Sequence, residues 1–125
     1  MKNNEIYSEK IYEKGNVMAS ACPSRAILQH ITSKWGVLIL VILRQGTKRF
    51  SELRKEIDGM SERMLSQTLQ YLEQDKMIHR QDFQTVPPHV EYSLTPFGQT
   101  AADKLYELVD WLETTLPEIE KGQNR

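Results

Sequence analysis

The sequence predicts a mainly α-helical fold with one small β-hairpin. Two observations carry this. Apolar residues recur at three- and four-residue steps along most of the 125 residues, the spacing of helices with one buried face. Only after Lys76 does the period change to two, around the tip Val86-Pro87-Pro88-His89, as half-buried strands joined by a stiff turn require. The length suits one domain over residues 1–125, enough for one core and too little for two.

Taken in order, Ile6, Tyr7, Ile11 and Tyr12 give a short amphipathic helix, too short to stand alone. Gly15-Asn16 breaks this helix, which belongs to an N-terminal arm of about residues 1–20. A second helix starts at Pro23, because proline at a first helical position loses no hydrogen bond, and its inner face is Ile27, Leu28 and Ile31. The run Val37-Leu38-Ile39-Leu40-Val41-Ile42-Leu43 could be strand or buried helix by periodicity. Gly46 just beyond Arg44 resembles a helix-ending glycine and favours the helix. The run falls short of the roughly 20 residues a membrane span needs.

Phe50, Leu53 and Ile57 mark the next helix, with Ser51 as its cap. Asp58-Gly59 is a turn, and Ser61 opens a helix to about residue 75. Two helices across a short turn are the outline of a helix-turn-helix. Residues 78–83 and the alternation of Val90, Tyr92 and Leu94 with Glu91, Ser93 and Thr95 make the hairpin. Thr95-Pro96 then caps a long helix over residues 96–116, with an apolar stripe of Ala101, Leu105, Leu108, Val109, Leu112 and Leu116. Pro117 is expected to stop it, leaving residues 117–125 as a tail.

The net charge of −1 is unevenly spread: residues 44–80 hold eight Lys and Arg against six Asp and Glu, and residues 96–125 three against six. A mildly basic middle fits an anionic partner for that part alone. The single cysteine cannot form an internal disulfide, and Met1-Lys2-Asn3-Asn4 leads into charged sequence, so a cytoplasmic protein without a membrane segment is expected. An enzyme finds little support, and neither a cofactor nor a metal is implied. There is no Gly-rich phosphate loop, His30, His79 and His89 lack ligand spacing, and Cys22 has no evident base.

The helix opening at Ser61 is the most informative. At about 100° per residue, Met64, Leu65, Thr68, Leu69, Tyr71 and Leu72 share one side, and Arg63, Ser66, Gln67, Gln70 and Gln74 the other. A merely solvated face usually carries Glu/Lys pairs. Arginine and glutamine are the groups that pair in bidentate fashion with guanine and adenine, although glutamine is also simply a soluble helix former. Helix-turn-helix, wing and long helix, in that order, make a winged helix-turn-helix, whose second helix enters the major groove. Residues 21–95 would be its DNA-binding core. Base contacts fall to Ser61, Arg63, Ser66, Gln67 and Gln70, and backbone or wing contacts to Lys48, Arg49, Ser51, Arg80 and His89.

Cys22-Pro23, Lys34-Trp35-Gly36-Val37-Leu38-Ile39-Leu40, Arg49-Phe50-Ser51-Glu52-Leu53, the helix opening at Ser61 and Pro87-Pro88-His89-Val90-Glu91-Tyr92-Ser93-Leu94-Thr95 stand in this order. With them, over roughly residues 20 to 115, the chain resembles the HxlR-type regulators, bacterial winged-helix transcription factors related in fold to the MarR group. The resemblance implies a homodimer on a pseudo-palindromic double-stranded operator, joined by N- and C-terminal dimerisation helices. Ile6, Ile11, Leu105, Leu108 and Leu112 offer apolar helix surface for that contact beyond what so small a domain covers itself. The chain departs from the family at Lys76, where glycine is frequent and a left-handed turn would be strained or absent, and at His89, where a lysine or arginine is common.

Several members of the family sense oxidants or electrophiles through a cysteine before this proline, and Cys22 matches it. At a helix N-terminus near Arg25, its thiolate is favoured; a small, buried, inert residue is the plain alternative. The leading function is a sequence-specific transcriptional regulator, responsive to oxidants through Cys22 or to an unidentified small-molecule inducer. The alternative is a winged-helix protein-interaction module without base reading.

Overall fold

The computed structural model describes residues 14–122; Ile6 and Ile11 lie outside them. Helix α1, Pro23–Thr32, starts on Pro23 with Cys22 as its N-cap. The Arg25 guanidinium ties the preceding loop to it, donating to the carbonyls of Val17 at 3.1 Å and Met18 at 2.9 Å. No α1 residue is fully buried. Ile27 and Ile31 are half-buried, but Leu28, expected on the inner face, is exposed. A ten-residue helix laid against one side of a small core covers only a narrow strip of itself.

The apolar run is helical. Helix α2, Lys34–Leu43, follows a 74° bend at Ser33, whose Oγ accepts the Gly36 N–H at 3.1 Å. Gly36 is required there, since a Cβ would overlap the His30 carbonyl oxygen. Ile39, Leu40 and Leu43 are buried and the other apolar residues of α2 pack around them, which explains a helix apolar on every side. Among the described residues no single helix is long and apolar enough to cross a membrane.

Strand β1, Lys48–Arg49, has no signal in the sequence, because two residues are too short for any period. It pairs antiparallel with β3, Lys48 opposite Tyr92 and Arg49 opposite Glu91. Helix α3, Phe50–Glu56, begins one residue before the expected cap. Ser51 is inside it, and the orphan N–H of Arg49 is satisfied by the Glu52 carboxylate at 2.7 Å. With residue 49 still in the extended backbone of β1, the non-helical cap position falls on arginine.

Helix α4, Glu62–Gln74, is capped by Ser61, whose Oγ accepts the Met64 N–H at 3.1 Å. Asp75 ends it and Lys76 follows at φ 63°, so the left-handed turn exists with a lysine in it. Strands β2, Ile78–Asp82, and β3, Val90–Leu94, form the hairpin with Ile78 opposite Leu94 and Asp82 opposite Val90. The sheet order is β1-β3-β2: a three-stranded antiparallel sheet where the sequence predicted a hairpin alone.

Helix α5, Pro96–Glu120, is capped by the Thr95 hydroxyl, which accepts the Gly98 N–H at 3.0 Å. It does not stop at Pro117 but runs on to Glu120. A proline removes one helical N–H and crowds the carbonyl four residues back, but it leaves its own carbonyl free, which here accepts the Lys121 N–H at 3.2 Å. Gly122, at φ 68°, is the real stop. One core gathers α2, α3, α4, the sheet and the first half of α5 through Leu53, Leu65, Leu69, Leu72, Ile78, Tyr92, Ala102 and Leu105.

Candidate nucleic-acid interface

Leu65, Thr68, Leu69 and Leu72 turn α4 into the core. This leaves Ser61, Arg63, Ser66, Gln67 and Gln70 exposed on its far side, as 3.6-residue periodicity demands. Among the described residues Arg63 has no carboxylate within ion-pair distance, whereas Arg54 reaches Glu62 at 3.4 Å. Gln67 donates to the Tyr71 hydroxyl at 3.5 Å, its one side-chain hydrogen bond among the described residues. Among the described residues the side chains of Arg63, Ser66 and Gln70 are exposed without a hydrogen-bond partner in the chain, while the Ser61 hydroxyl is engaged as the helix cap.

Tertiary packing sets the wing beside this arc. Ser66, Gln70 and Glu73 of α4 face Arg80 and Tyr92 of the sheet across a polar cleft of about 300 Å³. Arg80 thus joins two of the expected base-reading residues. The other backbone candidates fare unequally. Arg49 and Ser51 are exposed next to the start of α3. The Lys48 ammonium is held by Glu56 at 2.9 Å with its side chain only 17% exposed, so its charge is answered inside the fold. His89 lies 2.7 Å from Glu91 and against the Phe83 ring, centroids 4.6 Å apart. It braces the wing rather than reaching out from it. The tip itself, residues 84–88, carries no cation.

Leu108, Trp111, Leu112, Leu116 and Ile119 are exposed along one side of α5, Trp111 by 56%. Leu105 is not part of that free stripe, for it packs in the chain's own core. Arg44 anchors the helix, donating to Asp103 at 2.8 Å and lying 4.0 Å above the Tyr106 ring.

Cys22 is 3% exposed. Its Sγ lies 3.0 Å from the Ser24 hydroxyl and accepts the Asn16 N–H at 3.2 Å. Those contacts, Ser24 foremost, hold the thiol below its ordinary range, because each stabilises the thiolate. Arg25, expected to help, is spent on backbone carbonyls instead. A contact with no sequence signal joins α1 to α4: His30 Nδ1 is 2.6 Å from Asp75 Oδ2, and its ring stacks on Tyr71 at 4.3 Å. The partners are 45 residues apart, beyond the reach of any local pattern.

The sequence profile of the HxlR-like helix-turn-helix family matches residues 30–120. The chain belongs to that family. An HTH-type transcriptional regulator of Escherichia coli strain K12, YtfH, is 57% identical over 107 residues, 86% of this chain and 85% of its own. The solved structure of the transcriptional regulator YtfH from Salmonella typhimurium superposes with a TM-score of 0.83 at 54% identity, covering 90% of this chain and all of that one. The redox regulator HypR in its reduced form gives a TM-score of 0.72 at 35% identity, over 79% of this chain and 98% of its own. As a member of the HxlR-like family the chain is a winged helix-turn-helix transcriptional regulator and not an enzyme. Cys22 lies outside the span that the family profile matches.

Proposed function

We propose that the protein binds a pseudo-palindromic DNA operator as a homodimer in the cytoplasm, reading bases with Ser61, Arg63, Ser66, Gln67 and Gln70 of α4. Arg80, Arg49 and Ser51 hold the backbone. The observation that carries this reading is the exposed polar arc of α4, two of whose residues, Ser66 and Gln70, line the same cleft as Arg80. A protein-docking face would instead be apolar at its centre. The exposed side of α5 supplies the dimer contact, with Leu108 and Leu112 at its middle; Ile6 and Ile11 of the arm are its proposed complement.

A second reading concerns Cys22, whose thiolate-favouring contacts and likeness to HypR, solved in reduced and oxidised forms, support oxidant sensing. The thiolate attacks a peroxide oxygen, the O–O bond breaks, hydroxide leaves and a sulfenic acid remains. With one cysteine per chain, a disulfide can follow only with a second subunit or a small thiol.

The test is a fluorescence-anisotropy titration at fixed salt against DNA from upstream of the protein's own gene and operators selected from a random pool, before and after peroxide. Tight binding over competitor DNA, weakened about tenfold or more by Arg63→Ala or Gln70→Ala, is expected. Absence of any preferred sequence in the pool would leave the protein-module reading. A peroxide response absent from Cys22→Ser identifies the sensor, and indifference to peroxide returns Cys22 to a structural role.

A further inference from the structure

We infer that the His30–Asp75 pair is the strut by which α1 sets the position of the reading helix α4. The pair acts as a positioning contact, and its effect on DNA rests on α4 being the base-reading element. His30 stands in the last turn of α1 and Asp75 is the C-cap of α4. Their side chains are 23% and 12% exposed, so solvent screens this contact less than a surface pair.

The contact fixes orientation as well as distance. The imidazole lies nearly parallel to the Tyr71 ring, 11° between planes, while its Nδ1 meets Asp75 one turn further along α4. Two points on one helix, held by one planar group, resist both sliding and rolling. His30 is itself fixed from behind. Its carbonyl accepts the Ser33 hydroxyl at 2.9 Å, and Gly36 closes against that same carbonyl, so the 74° corner between α1 and α2 is braced where the strut begins. Since α1 buries no residue fully, this pair and Ile31, which packs against the core, tie it to the rest of the fold.

Geometry makes the strut consequential for reading. Arg63 lies twelve residues before Asp75, about 18 Å along the helix. Tilting α4 by about 5° at the Asp75 end would carry Arg63 roughly 1.5 Å, beyond the half-ångström tolerance of a hydrogen-bonded site. Cys22, the N-cap of the same helix α1, stands eight residues and about 12 Å from His30. The buried sulfur sits against Ser24 in the first turn of α1 and against Gly15 and Asn16 of the preceding loop, so α1 links its surroundings to the strut.

The test uses the full-length protein with His30→Ala, Asp75→Ala and Asp75→Asn, which keeps an acceptor oxygen in place. Amide hydrogen exchange over residues 71–75 is expected to rise about tenfold in both alanine variants. Operator affinity is expected to fall about tenfold while random-sequence DNA binds within about twofold of the parent. Asp75→Asn should restore most of both. Unchanged exchange in α4, parallel loss on operator and random DNA, or an asparagine variant as impaired as alanine would overturn the strut. Exchange needs no DNA, so a protein without operator preference defeats the base-reading proposal while the strut is still decided. Should His30→Ala fail to fold, His30→Gln, which has a donor but no ring to stack, is read in the same two ways.

Discussion

Lys76 is a non-glycine residue at φ 63°, a conformation that costs an L side chain about 1–2 kcal/mol. The turn persists because its neighbours demand it: the Thr95 hydroxyl donates to the Lys76 carbonyl at 2.6 Å, and the Met77 N–H reaches back to Leu72 at 2.9 Å. Lys76→Gly should therefore raise stability by about 0.5–1 kcal/mol, part of the relief being offset by the freer unfolded chain, as urea unfolding would measure. Gly98 is the opposite case. A Cβ there would overlap the Met77 carbonyl, so Gly98→Ala should lose about 1–3 kcal/mol despite alanine's better helix propensity. At Cys22 the lowered pKa means that thiolate is present at lower pH than for an ordinary cysteine. The rate of reaction with peroxide should rise through a midpoint below the usual thiol value, and Ser24→Ala should move it upward. Asp103, held below the usual carboxylate range by Arg44 and then Gln99, adds stability that is present at neutral pH and lost as pH falls through its lowered pKa. Asp103→Asn should thus be destabilised most at neutral pH, with the difference closing in acid.

Among the elements, α4 was the most legible in the sequence. Its cap Ser61 followed from residue type, and its buried side and polar arc from one periodicity, since one face of the helix lies in the core. The start of α3 differs from its sequence expectation for a tertiary reason. Ser51 is a good cap by residue type, but the capping position was decided by β1, and β1 exists only because residues 48–49 pair with β3, over forty positions away. Lys48 and His89 were similarly readable as cations and not as partners of Glu56 and Glu91. Helix α5 carries a length that its stripe alone did not reveal, for Pro117 interrupts one hydrogen bond without ending the helix. Its exposed side should join two subunits: Leu108→Glu or Leu112→Glu is expected to yield a folded monomer by sedimentation, and dimeric variants would refute that contact. Leu105→Ala, by contrast, should cost about 2–5 kcal/mol of monomer stability.

In the whole molecule, two surfaces lie on one compact core, the α4 arc beside the wing and the free side of α5. Family membership, the helix-turn-helix and the residues that face outward from α4 were all written in local spacing, since periodicity, caps and turn residues act over a few positions. The third strand, the cleft uniting Arg80 with Ser66 and Gln70, the withdrawal of Leu105 into the core and the His30–Asp75 strut were settled by tertiary packing alone. Each depends on groups far apart in the chain meeting in space, and side-chain chemistry sets what such a meeting is worth while only the fold determines which groups meet.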